Sequence, residues 1–212
     1  MQIIYCLLFS VTFMLASSLP VAAKDIADRP ENVQPLLVGQ SIPDVMIWNE
    51  AGAPLKSLEL VKKQPTILVF YRGGWCPYCN AQLNELKGIE SQLKALGYQL
   101  IAISPELPDS LKEMQQARTL SYQLMSDFRL EVAKAFGLAF QVDPSYAKMA
   151  EEKVNAKMQK YQGETLFTLP VPAVYIFDTN GVVQFQYVNP NYAVRLHPEL
   201  LLTAAKVALT TK

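Results

Sequence analysis

Cys76-Pro77-Tyr78-Cys79, set between a strand and a helix, constrains this chain more than any other stretch. Ile67-Leu68-Val69-Phe70-Tyr71 is a short apolar run rich in β-branched and aromatic residues, the pattern of a buried strand. Gly73-Gly74 ends it, and apolar residues at Leu83, Leu86, Ile89, Leu93 and Leu96 then recur near the helical period. Pro77 fits the first position of that helix, where its missing N–H has no partner to lose. Cys76 therefore falls at the N-cap and Cys79 one turn inside. Unpaired N–H groups and the positive end of the helix dipole favour an anion there. Cys76 is expected to be more acidic than a free thiol, and so reactive at neutral pH.

Two nearby cysteines could also be a structural staple or half a zinc site. A Cys76–Cys79 bridge closes only four residues, which by loop entropy stabilises by about 2 kcal/mol, against about 5 for a long loop. Zinc needs two further ligands, and the chain offers one other cysteine, Cys6, and one histidine, His197. The pair reads as a redox-active dithiol, with no metal and no cofactor.

A chain of 212 residues, half of them apolar, suits one domain with a sizeable core. Lys plus Arg equals Asp plus Glu at 19 each, with no long basic run, which argues against nucleic acid as a partner. Residues 1–23 carry no charged side chain; an apolar stretch from Ile3 to Ala16 leads to Val21-Ala22-Ala23. That is the pattern of a secretory signal cut after Ala23. Its removal takes Cys6 away and leaves the CPYC pair alone. The expected location is exported, periplasmic in the first instance, with no membrane association after cleavage. Residues 24–36, punctuated by Pro30 and Pro35, read as an exposed lead-in, and 37–210 as the main domain.

Along that domain, 45–48 and 55–60 suggest a hairpin and a helical turn, and 98–104 a strand. Asp109 or Ser110 can cap a helix carrying Leu111, Met114, Ala117 and Leu120. A strand at 122–125 and an Asp127-capped helix over 128–136, closed by Gly137, follow. Residues 138–165 interrupt the rhythm: Asp143-Pro144 opens a charged helix with Tyr146, Met149 or Ala150, Val154, Met158 and Tyr161 on one stripe, read as a packing face. A strand over 173–177 turns at Asp178-Thr179-Asn180-Gly181 into 182–188, and Asn-Gly is a strong hairpin signal. His197-Pro198-Glu199 opens a last helix over 200–209. The alternation of strand and helix argues for an α/β sheet with helices on its faces.

Taken in order, FYRGGWCPYCNAQL, YQLIAISPE, YQLMSD before AKAFGL, and VPAVYIFDTNG resemble the peroxiredoxin-like members of the alkyl hydroperoxide reductase and thiol-specific antioxidant family, over roughly residues 37–210. The resemblance implies a thioredoxin-like fold: a central mixed sheet flanked by helices, with a helical insertion before the strand that follows a cis proline. Pro172 falls at that proline, and a cis bond there would present the Val171 backbone to a bound thiol. The implied activity is thiol–disulfide oxidoreduction, with Cys76 as nucleophile, Cys79 resolving, and Arg72, Trp75, Pro77, Val171 and Pro172 around the substrate. The implied partners are a thiol- or disulfide-bearing protein or small molecule, or a peroxide, and an external thiol as electron donor.

The sequence also departs from the family. Peroxiredoxins read F-Y-P-x-x-x-T-x-x-C, with the last Cys attacking peroxide. Counting from Phe70-Tyr71 puts Arg72 at that Pro, Cys76 at the Thr and Cys79 at the peroxidatic position. Pro172 stands where those proteins place an Arg, six residues before Asp178. Arg72 or Arg195 could supply a substitute charge; the alternative for each is an ordinary surface arginine. Two other readings therefore stay open: a thiol-dependent peroxidase with Cys79 attacking, and a non-catalytic binding domain on a redoxin scaffold.

Overall fold

Continuous burial along the apolar runs assembles one large sheet, because each central strand has apolar side chains to hide on both faces. The computed structural model describes residues 24–210. In chain order it runs β1 (Met46–Asn49), β2 (Pro54–Lys56), α1 (Ser57–Val61), β3 (Thr66–Phe70), α2 (Pro77–Ala95) and β4 (Gln99–Ser104). Next come α3 (Pro108–Arg118), β5 (Gln123–Ser126), α4 (Glu131–Ala135), β6 (Ala139–Gln141), α5 (Pro144–Val154) and β7 (Gln159–Lys160). The chain closes with β8 (Phe167–Pro170), β9 (Ala173–Phe177), β10 (Val183–Val188) and α6 (Pro198–Ala208). The expected leader, residues 1–23 with Cys6, lies outside the described residues. No helix among the described residues is long and apolar enough to cross a membrane.

The seven-stranded sheet has the order β10-β9-β3-β4-β5-β1-β2. Its centre, β3-β4-β5, is parallel, made by the crossovers through α2 and α3. The flanking pairs are antiparallel. On one face Ile67 and Val69 meet Leu83 and Leu86 of α2, Leu111 of α3 and Leu201 of α6. On the other, Leu68 and Phe70 pack with Leu60 and Val61 of α1 and Val132 of α4. Phe136 also sits there, its ring centre 4.8 Å from Phe70 and 5.3 Å from Tyr175. The β9–β10 turn forms as the Asn-Gly signal indicates, with Asp178 Oδ1 accepting the N–H groups of Asn180 and Val182. This is the mixed sheet between helices that the resemblance implies.

The insertion is not purely helical. α5 stops at Asn155, whose φ of 51° ends the helix. Met158 and Tyr161 therefore leave the expected stripe, and β7 joins β8 and β6 in a second, three-stranded sheet. The face that α5 buries is Ala147 and Ala150, with Val142, Met158 and Leu169. Met149 and Val154 are exposed. Small residues let the helix lie close to its neighbours, a signal that an apolar-stripe reading overlooks.

Pro172 also departs from expectation. Cis peptide bonds are absent from the described residues, so Val171–Pro172 is trans. The chain passes directly from β8 to β9, tied by Val171 N–H to Leu138 O (2.9 Å) and Asn189 N–H to Pro172 O (3.3 Å). The Val171 amide is thus already bonded rather than offered to a thiol.

Residues 24–36 are docked on the domain, with a 3-10 turn at Pro30–Asn32 between their contacts. Gln34 N–H reaches Gly137 O at 3.0 Å, Leu36 N–H reaches Phe136 O at 3.1 Å, and Ala27 bridges Phe140. Gly137 makes this close approach possible: its φ is 68°, and a Cβ there would sit 2.0 Å from Gln34 O. Gly137→Ala is expected to cost about 2 kcal/mol or more. The effect should appear as a lower urea midpoint at unchanged slope; an unchanged midpoint would refute the close-approach argument.

Candidate active site

The dithiol sits where β3 ends and α2 begins, at the edge of the sheet's parallel centre. Gly73, at φ 150°, turns the chain so that Trp75 folds back over it; a Cβ on Gly73 would lie 2.3 Å from the indole nitrogen. Cys76 N–H donates to Gly73 O (3.1 Å) and Asn80 Nδ2 donates to Gly74 O (2.8 Å), which fixes the loop on the helix start. Cys76 is the N-cap of α2 and Pro77 its first residue, as the spacing predicts.

Both cysteines are free thiols, and both are buried, at 2% and 0% exposure. Neither sulfur of the pair is open: Pro77 and Tyr78 take the exposed side of the turn, and Trp75 packs against the core beside it. Their acidities nevertheless diverge. A hydrogen bond from the Cys79 thiol chiefly, then one from the Cys79 amide and the positive charges of Arg72 and Arg195, bring Cys76 down to about 6 against the opposing effect of its burial. Burial, then the Cys76 interaction, pushes Cys79 well up.

Two N–H donors converge on Cys79: the Arg72 backbone amide and Arg195 Nη2, each 3.4 Å from Sγ. Arg195 is placed by the segment after β10, which Leu196 pins into the core. Arg72 is 2% exposed. Its guanidinium carbon lies 5.1 Å from the Trp75 ring centre, 5.1 Å from Tyr146 and 4.2 Å from Tyr192, and Nη2 donates to the Tyr146 hydroxyl. Neither arginine is an ordinary surface residue. Pro172 shares a cavity wall with Arg72, Tyr146 and Tyr192. Val171 is fully buried behind it.

The alkyl hydroperoxide reductase and thiol-specific antioxidant family model (AhpC/TSA) matches residues 38–186, most of the chain and all of this site except Arg195 and Tyr192. The chain belongs to the AhpC/TSA family. Among its relatives, chloroplastic peroxiredoxin Q of Sedum lineare is 26% identical over 151 residues, spanning 71% of this chain and 68% of the relative. Peroxiredoxin Q of Arabidopsis thaliana is 28% identical over 151 residues, spanning 71% and 59%. In fold, the AhpC/TSA chain superposes on reduced Prx3 from Vibrio vulnificus with a TM-score of 0.66 at 20% identity, covering 81% of this chain and 99% of that one. A thiol-based oxidoreductase on a thioredoxin-like fold is what this membership establishes.

Sequence reasoning did not single out Tyr192, Tyr146 as an arginine partner, or Glu106. Glu106 accepts from Ser104 and from the Gly74 amide under the loop, and burial raises its pKa. Its signal was faint: an acid directly after an apolar strand. Among the described residues no group of three or more His, Cys, Asp or Glu is placed to hold a metal ion.

Proposed function

We propose that this AhpC/TSA protein cycles Cys76 and Cys79 between dithiol and disulfide, with Cys76 attacking and Cys79 resolving. The place of Cys76 at the N-cap of α2, with Cys79 one turn inside, is the observation that carries the reading, and the lowered Cys76 and raised Cys79 pKa values agree with it. At neutral pH Cys76 is largely thiolate, and the thiolate is the attacking species. On a disulfide substrate it forms a mixed disulfide and expels one thiolate. Cys79 then loses its proton, attacks Cys76 Sγ and expels the second thiolate, so the substrate gains two electrons. On a peroxide, Cys76 takes one oxygen as sulfenic acid and releases water or an alcohol; condensation with Cys79 releases a further water. An external thiol returns the disulfide to dithiol. An exported, periplasmic place of action, read from residues 1–23, belongs to the same proposal.

One observation favours a second reading. Arg195 and the Arg72 amide both address Cys79, which suits a peroxidatic thiolate at that position. Burial without a matching drop in acidity argues against it as first attacker.

The test supplies hydrogen peroxide or glutathione disulfide to the chain lacking residues 1–23 and maps the cysteines by peptide mass. One Cys76–Cys79 disulfide per oxidant consumed is expected. Consumption with no such bridge, or no consumption of either oxidant, defeats the proposal.

A further inference from the structure

Beside the dithiol, the docked residues 28–30, the insertion and the segment after β10 enclose a cavity of about 460 Å³, within the usual range of small-molecule pockets. Much of its wall is apolar: Phe140, Val142, Leu166 and Pro172. Arg72 supplies the buried charge; Arg29, also on the wall, is exposed and lies 4.0 Å from Asp28. Arg72 Nε and Nη1 are buried without any acceptor, and among the described residues no carboxylate pairs with this side chain. The two acids at the rim are engaged elsewhere. Asp28 accepts from Asn32, and Asp143 accepts the N–H groups of Ser145 and Tyr146 at the start of α5.

Three aromatic faces offset part of the cost of burying a guanidinium, but a ring face does not satisfy in-plane N–H groups. Buried donors of this kind, on an arginine that shares the wall of an apolar cavity, take an acceptor from outside the chain, water or a ligand. We propose that this cavity binds an organic anion with an apolar body, its carboxylate or phosphate oxygen accepting from Arg72. Part of the lining, Asp28, Arg29, Pro30, Pro190 and Tyr192, falls outside the stretch matched by the family model.

The same arginine couples the cavity to the dithiol. An anion on Arg72 cancels part of the charge that favours the Cys76 thiolate, so by reciprocity the thiolate weakens the anion. The anion binds more tightly to the disulfide form than to the dithiol above pH 7. As a route for substrate this rests on the proposed dithiol cycle; as a binding site it does not.

Octanoate, octyl phosphate and 1-octanol are titrated calorimetrically into the chain lacking residues 1–23, in both redox states. At least tenfold tighter binding of one or both anions than of the alcohol is expected, and the stronger of them names the head group. Arg72→Met should erase the preference. Leu166→Trp, which fills the cavity from another element, should remove anion binding while melting remains cooperative. Equal binding of anion and alcohol, no binding of any probe, or retention of anion affinity in folded Leu166→Trp overturns the proposal. Equal affinity in the two redox states overturns the coupling alone. No turnover enters these titrations, so an inactive dithiol leaves their outcome unchanged.

Discussion

Cys79→Ser is expected to accumulate a mixed disulfide between Cys76 and its target, and Cys76→Ser to trap nothing. Turnover in Cys76→Ser should fall by roughly three orders of magnitude or more, as when a nucleophile is removed from a catalytic unit. The asymmetry follows from the site: Cys76 holds the helix terminus, where the dipole is strongest, whereas Cys79 is fully buried one turn inside. The opposite result is equally readable. If Cys76→Ser forms a sulfenic acid on Cys79 and still consumes peroxide with an added thiol, then Arg195 serves the attacking sulfur and the order of the two cysteines is reversed.

Alkylation of reduced protein by iodoacetamide should show a midpoint near pH 6 from Cys76. Cys79→Ala removes the largest cause of that acidity and should move the midpoint upward. Arg195→Met, which removes a neighbouring positive charge, should raise it by about one unit. The consequence for stability has a definite sign. The folded pKa of Cys76 lies below its unfolded value, so ionisation of Cys76 favours the reduced fold at pH above the unfolded thiol range, where the raised Cys79 thiol acts in the opposite sense. That gain fades as pH falls and is gone below about 6. The oxidised protein has no such dependence at this position, so the stability gap between the two redox forms should change with pH. A midpoint near that of a free thiol, or one unmoved in both variants, would remove the basis for naming Cys76 the attacker.

The strand, the Gly pair and the CPYC helix were legible because they are local: apolar runs, a proline at a helix start and an Asn-Gly turn lie within a few residues of the structure they cause. The arginines were legible only as candidates: Arg72 and Arg195 stood out as substitute charges, with an ordinary surface role as the alternative for each. A charge directly after a strand reads as a surface residue. Besides the nearby Trp75, it is Tyr146, 74 residues away, and Tyr192 that close over Arg72. Arg195 reaches Cys79 across 116 residues. Nor did local pattern reveal the second sheet, since β7 has two residues and takes its pairing from β8. The proline rule failed for a related reason. Order along the chain placed Pro172 as a cis proline beside the dithiol, but the bond is trans, and the residues there are tied to Leu138 and Asn189, which no motif encodes.

The near-complete enclosure of both sulfurs ranks the oxidants by size. Hydrogen peroxide is little larger than water and can reach Cys76 with small side-chain movements. A disulfide must instead align three sulfurs, and a folded protein carrying one cannot do so until the first turn of α2 swings outward. For such a target the observed rate is the intrinsic exchange rate multiplied by the fraction of molecules with that turn open. The peroxide reaction should then respond weakly to urea well below the unfolding midpoint, while reaction with a protein disulfide accelerates, because mild denaturant raises the open population before the domain unfolds.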